Sequence, residues 1–95
     1  MKFYNKGIAA HLEAILKLLD DNHLVFENIQ GVGPIDIITV NKETGEVTFY
    51  DAKSDRTSRH KKRQQSKIQE KLGVKNIYVN LHKRTYRLEG KMGKL

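Results

Sequence analysis

The chain has 95 residues, no cysteine and a formal net charge of +7. This bounds it to one small domain, residues 1–95, and excludes disulfide scaffolds, Cys-ligated zinc and iron–sulfur clusters. Apolar residues make up 38% of it, enough for a compact core, and the charge is segregated, net −4 over residues 1–55 and net +11 over 56–95.

No apolar run approaches the roughly 20 residues of a membrane span, and the first residues lack the apolar stretch of a secretion signal. The expectation is a cytoplasmic protein without membrane contact. A concentrated basic surface usually meets a polyanion, most often nucleic acid; its alternative is a solvated helix face.

Residues 7–20 read as a helix. Ile8, Leu12, Ile15, Leu16 and Leu19 recur at the spacing of one helical face, Asn5 is a candidate cap, and Asp20-Asp21-Asn22 ends the segment. Leu24 to Ile29 reads as a strand, followed by the glycine-containing turn Gln30-Gly31-Val32-Gly33. Residues 35–40 and 46–52, rich in Ile, Val, Thr, Phe and Tyr, are the clearest strands, and Asn41 to Gly45 joins them as an antiparallel hairpin. Residues 57–72 read as a second helix stopped by Gly73, 76–80 as a strand and 85–88 as a last edge strand, with 90–95 expected to fray. The order αβββαβ(β) predicts an α/β class, helices packed on a mixed sheet.

The hairpin carries the chemistry. Side chains alternate along a strand, so Asp36, Ile38 and Val40 share a face, as do Val47, Phe49, Asp51 and Lys53. Pairing Val40 with Val47 and Ile38 with Phe49 puts the apolar pairs on one buried face and sets Asp36 opposite Asp51, Cβ atoms roughly 4.5–5.5 Å apart. Like charges so placed destabilise a sheet unless something offsets them. A divalent cation with a preference for carboxylate oxygens does so. Lys53, about 7 Å from Asp51 along the same face, is placed to orient a water or stabilise developing negative charge. The competing reading is an Asp solvated near a strand end, and a one-residue register slip would separate the pair.

Glu13 lies at the border of the first helix's apolar stripe, with His11 as a competitor for the same inward role. On the second helix Gln65, Ile68 and Leu72 follow i, i+3, i+7, which puts Gln65 on the inward stripe. A buried amide needs partners, either backbone at a strand end or a group of the site.

Pro34-Ile35-Asp36, followed by Asp51-Ala52-Lys53, resembles the PD-(D/E)xK signature of restriction-endonuclease-like nucleases. Glu13 matches the acidic residue that many members carry on the preceding helix. Lys62-Arg63-Gln64-Gln65 resembles the Gln-bearing helix of archaeal-type Holliday junction resolvases and of small phage VRR-NUC nucleases. The likeness spans roughly residues 5–81. It departs from the family pattern in Ile35, which separates Pro34 from Asp36, and in Asp51, where many members have Glu.

The resemblance implies a restriction-endonuclease-like core and a metal-dependent endonuclease hydrolysing DNA. In it Asp36, Asp51, the Ala52 carbonyl and Glu13 hold Mg²⁺ or Mn²⁺, Lys53 positions the attacking water and stabilises the phosphate, and Gln65 supports the geometry. It implies no small-molecule cofactor, a branched or duplex DNA partner and a homodimer, with the first helix and Ile77, Tyr78, Tyr86 and Leu88 as candidate interface. Arg56, Arg59, Lys61, Lys62, Arg63 and Lys67 follow the hairpin and are the candidate phosphate contacts, an attraction that salt weakens. The rival reading is a non-catalytic basic nucleic-acid-binding domain, in which Asp36, Asp51 and Lys53 are incidental.

Overall fold

Where β-branched and aromatic residues crowd the middle of the chain, the backbone is extended, as their packing on a pleated surface favours. The structure is a computed structural model, and it describes residues 6–30, 33–54 and 66–95. The elements are α1 (Lys6–Leu18), β1 (His23–Glu27), β2 (Ile37–Asn41), β3 (Val47–Ser54), α2 (Lys67–Leu72), β4 (Lys75–Asn80), β5 (Thr85–Leu88) and β6 (Lys91–Lys94). The fold is mixed α/β. Its six strands form one sheet in chain order, antiparallel throughout except for the parallel pair β3–β4. A parallel pair requires a long crossover, and the segment containing α2 supplies it. No helix among the described residues is long and apolar enough to cross a membrane.

The core lies between α1 and one face of the sheet. Ala10 and Ala14 are buried against Ile37, Ile77 and Val79, with Ile15, Leu18, Val25, Tyr50 and Ala52 packed around them. This corrects the helical face read from the sequence. Alanine lets helix and sheet approach closely, so the small residues face inward. Ile8, Leu12, Leu16 and Leu19 are each more than half exposed. The hairpin's buried face is also the other one. Ile37 and Thr39 are fully buried, whereas Ile38, Val40 and Phe49 are half-buried and Val47 is exposed. Ile77 belongs to the core and Tyr86 and Leu88 pack on it, while Tyr78 is half-buried on the opposite face, so of the two candidate interfaces the α1 stripe is the more exposed.

Two further expectations change. Residues 91–94 are not frayed but form β6, paired with β5, and the Leu95 N–H donates to the Arg84 carbonyl at 2.9 Å. The helix expected over 57–72 is described only as Lys67–Leu72, and residues 57–65 lie outside the described residues. Ser66 is extended (φ −65°, ψ 159°) and caps α2, because its hydroxyl and the Gln69 side chain satisfy each other's backbone N–H groups. Gly73 then ends the helix in the left-handed conformation (φ 67°), which glycine adopts without steric cost.

Gly93 sits opposite Tyr86 in the β5–β6 register, and the Tyr86 ring lies 5.5 Å from Lys17 Nζ on α1. A methyl group at Gly93 would meet the ring 2.5 Å away. The substitution Gly93→Ala is expected to cost about 1–3 kcal/mol in urea unfolding, as overpacking does; unchanged stability would mean that the ring is free to step aside.

Candidate metal and active site

Asp36 closes the loop between β1 and β2, and backbone bonds hold it from both sides. Its carbonyl accepts the Asn28 N–H at 2.8 Å and its N–H donates to the Tyr50 carbonyl at 2.9 Å. The Asn28 side chain fixes the preceding turn by donating to the Ile35 carbonyl at 3.0 Å. The β2–β3 register is the one the hydrophobic pattern requires, with Val40 opposite Val47, Ile38 opposite Phe49 and Ile37 opposite Tyr50. One residue before this register, the Asp36 and Asp51 carboxyls come close enough to interact, through a hydrogen bond when one of them carries a proton.

Each carboxyl has further partners. Asp36 Oδ2 accepts the Ala52 N–H at 2.9 Å. Asp51 is only 8% exposed, and its Oδ2 accepts from Lys53 Nζ at 2.8 Å and from Gln69 Nε2 at 2.9 Å. Burial pushes the Asp36 carboxyl up to about 6. The hydrogen bond with Asp51 and the Asp51 charge act in the same direction, while the Ala52 N–H and the His11 charge oppose them. Burial would also raise Asp51, but the Asp36 hydrogen bond, Lys53 and Gln69 outweigh it and hold Asp51 below the usual carboxylate range. Below about pH 6 the pair therefore keeps one proton on Asp36 while Asp51 is ionised, and above it both carboxyls are charged, the behaviour of two carboxyls sharing one site.

The structure does not bring Glu13 to this pair. α1 covers the opposite face of the sheet, and the Glu13 carboxylate accepts from Arg84 Nη2 at 3.1 Å. His11 comes nearer: its Nε2 lies 3.0 Å from Glu27 Oε2, and its charge acts on Asp36. Gln65, Arg56, Arg59, Lys61, Lys62 and Arg63 lie outside the described residues, and Lys67 is exposed in the first turn of α2. Ile68 and Leu72 are exposed as well, so the stripe they were expected to define does not face inward.

The inward amide is Gln69. Besides Asp51 it donates to the Pro34 carbonyl at 3.0 Å, and its Oε1 accepts the Ser66 N–H at 3.1 Å. Its signal in the sequence was the capping box Ser66-Lys67-Ile68-Gln69. On the same face, β4 and β5 continue the row from Lys53 through Tyr78 to Arg87, with the guanidinium 4.7 Å from the Tyr78 ring centre. Beside Asp36, an open, mostly apolar groove of about 430 Å³ is lined by Phe26, Asn28, Ile29, Ile35 and Ile38.

Among the described residues no three His, Cys, Asp or Glu side chains converge on one point. A cation at the carboxylate pair would therefore need other oxygens. The Ala52 carbonyl is one candidate. Its own N–H points to Asp36, and in an extended strand the N–H and C=O of one residue point to the same neighbour. A second oxygen, Asn76 Oδ1, is buried without a hydrogen-bond partner beside Asp51, its register partner. An all-oxygen set of two carboxylates and neutral carbonyls fits Mg²⁺ or Mn²⁺ and is a poor match for softer metals. No family model matches the chain, and no curated protein and no solved structure matches it either.

The shared proton makes stability depend on pH. Folding raises Asp36 from the ordinary 3.8 to about 6, so the native state binds the proton more tightly than the unfolded one. That contribution is fully present below 3.8 and is lost as pH rises through about 6. A tenfold change in proton affinity is worth about 1.4 kcal/mol, and discounting for the partial exposure of the carboxyl leaves a contribution on the order of 1 kcal/mol. In EDTA, Asp36→Asn is expected to be more stable than the wild type at pH 7.5 and to lose that advantage at pH 5. Parallel melting curves for the two proteins across this range would show that the carboxyls do not interact.

Proposed function

We propose that the chain is a metal-dependent endonuclease hydrolysing DNA phosphodiester bonds, built on a restriction-endonuclease-like core. The observation that carries this reading is the carboxylate pair Asp36–Asp51 with Lys53 on the same face, an arrangement costly to stability and suited to phosphoryl chemistry. Asp36 and Asp51, with the Ala52 carbonyl, would hold Mg²⁺ or Mn²⁺. A divalent cation there would supply charge neutralisation on the phosphate and a more acidic water.

The chain's own residues do the rest. Asp51 stays ionised and ready to bind a cation because Lys53 and Gln69 stabilise its charge. Asp36, raised only to about 6, is mostly ionised at neutral pH and would be available to a cation. Lys53, one strand position-pair from Asp51, turns its ammonium toward the phosphate and stabilises the negative charge that builds as water adds to phosphorus. One phosphorus–oxygen ester bond breaks, the departing oxygen takes a proton, and the products are a phosphomonoester and an alcohol. The row Lys53–Tyr78–Arg87 supports a path for the strand beside the site, since arginine and an aromatic ring suit phosphate and base respectively. Gln69 takes the supporting role that the resemblance assigned to Gln65.

The same row also favours a second reading, a basic domain that binds nucleic acid without cutting it. A labelled panel of four-way junction, 5′ flap, linear duplex and single strand, incubated with Mg²⁺, Mn²⁺ or EDTA, separates the two. Cleavage that requires metal and falls at least about 100-fold in Lys53→Ala is the expected result. Salt-sensitive binding with no cutting in either metal would establish the binding domain instead.

The chain acts as a homodimer through the α1 stripe, a reading supported by the exposure of Ile8, Leu12 and Leu16 along α1 and of Leu19 just past its end, since apolar patches of this kind mark interaction surfaces. Light scattering should give twice the 11.0 kDa chain mass for the wild type and the single mass for the double variant Leu12→Asp, Leu16→Asp. A monomeric wild type at micromolar concentration would remove the dimer from the proposal and leave the site untouched.

A further inference from the structure

Asn76 carries a polar atom that the fold leaves unexplained. Its Oδ1 is buried and accepts no hydrogen bond, and among the described residues no other buried side-chain nitrogen or oxygen is in that condition. Buried acceptors are satisfied in the great majority of cases, because an open one forfeits its hydration without return. Its position is specific. Asn76 is the partner of Asp51 in the parallel β3–β4 register, so the two side chains leave the sheet on the same face. The two donors that reach Asp51 on that face are engaged elsewhere. Lys53 Nζ and Gln69 Nε2 both serve Asp51 Oδ2, and Gln69 Nε2 also donates to the Pro34 carbonyl.

What the oxygen lacks is a donor, and a hydrated hard cation brings one. Mg²⁺ and Mn²⁺ bound by one or two carboxylates retain several waters, which the ion polarises into strong donors. The strand order sets how Asn76 meets the ion. Asp51 on β3 stands between Asp36, just before β2, and Asn76 on β4. The amide is therefore one strand removed from the place where the carboxylates meet, which suits contact through a water rather than direct ligation.

We infer that Asn76 is a positioning residue for a divalent cation held by Asp36 and Asp51, its Oδ1 accepting from a water in the cation's shell. The inference rests on the reading of the carboxylate pair as a cation site. Partners in this outer position typically carry about 10–100-fold in metal affinity.

The test is Mn²⁺ titration of the full chain at pH 7.5, by calorimetry and by loss of the free-ion EPR signal, with no DNA present. Asn76→Ala is expected to weaken Mn²⁺ binding about tenfold or more while its melting curve in EDTA stays at or above that of the wild type. Asn76→Leu, which keeps the shape without the acceptor, should repeat the loss. Asn76→Asp, which keeps an acceptor oxygen, should bind at least as tightly as the wild type. Wild-type affinity in Asn76→Ala and Asn76→Leu, or an Asn76→Asp variant as weak as those two, would overturn the inference and leave the metal site standing. A wild-type protein that takes up no Mn²⁺ at millimolar concentration would overturn the metal site and this inference together, a result seen before any substitution is made.

Discussion

The carboxyls of Asp36 and Asp51 meet just beyond a hairpin register whose pairs on the same face, Ile38–Phe49 and Val40–Val47, are apolar. One step along the same face, Ile38 opposite Phe49 adds to stability; at Asp36 and Asp51 the sheet bears a like-charge repulsion instead. The fold answers that repulsion by raising the proton affinity of Asp36 and by giving Asp51 the Lys53 ammonium and the Gln69 amide. Most of the special features of the molecule answer to this pair: the doubly anchored backbone of Asp36, the Ala52 N–H aimed at its side chain, and a helix whose buried residue is a glutamine.

Gln69 shows how a short element can organise distant parts of a small chain. Its Oε1 completes the cap of α2, and its Nε2 reaches both the turn before Asp36 and the carboxylate of Asp51. A single amide thus joins the crossover, the β1–β2 loop and the central strand. The parallel pairing of β3 with β4 makes this possible, because it requires the chain to cross the sheet between them, and α2 lies at the end of that crossing. The same pairing brings Asn76 beside Asp51.

The two faces of the sheet divide the work. On one, α1 packs through Ala10 and Ala14 against Ile37, Ile77 and Val79 and supplies the closed core. The other presents Asp51, Lys53, Tyr78 and Arg87 across three strands, with the groove beside Asp36 at its margin. Glu13 sits with the first face and Arg84, which is why it does not join the carboxylates despite lying on the helix before them.

Much of the site was legible in the residues. Alternation along 35–40 and 46–52, with a turn of fitting length between them, is enough to pair Ile38 with Phe49, and that register carries Asp36 to Asp51 and sets Lys53 on the same face. These are local consequences of a two-residue period. The depth of each helical face was not legible in this way. Periodicity identified Ile8, Leu12, Ile15, Leu16 and Leu19 as one stripe, of which only Ile15 packs on the core; whether large or small residues turn inward depends on how closely the helix approaches the sheet, and here alanine permits the nearer approach. The capping box marks Gln69 as part of a helix start, but its role, like that of Asn76, was out of reach. What makes them notable is their distance to Asp51, which follows from a parallel pairing and a crossover between segments about 20 residues apart. Local pattern decides which way a strand residue points; only the packing of separate segments decides what it meets there.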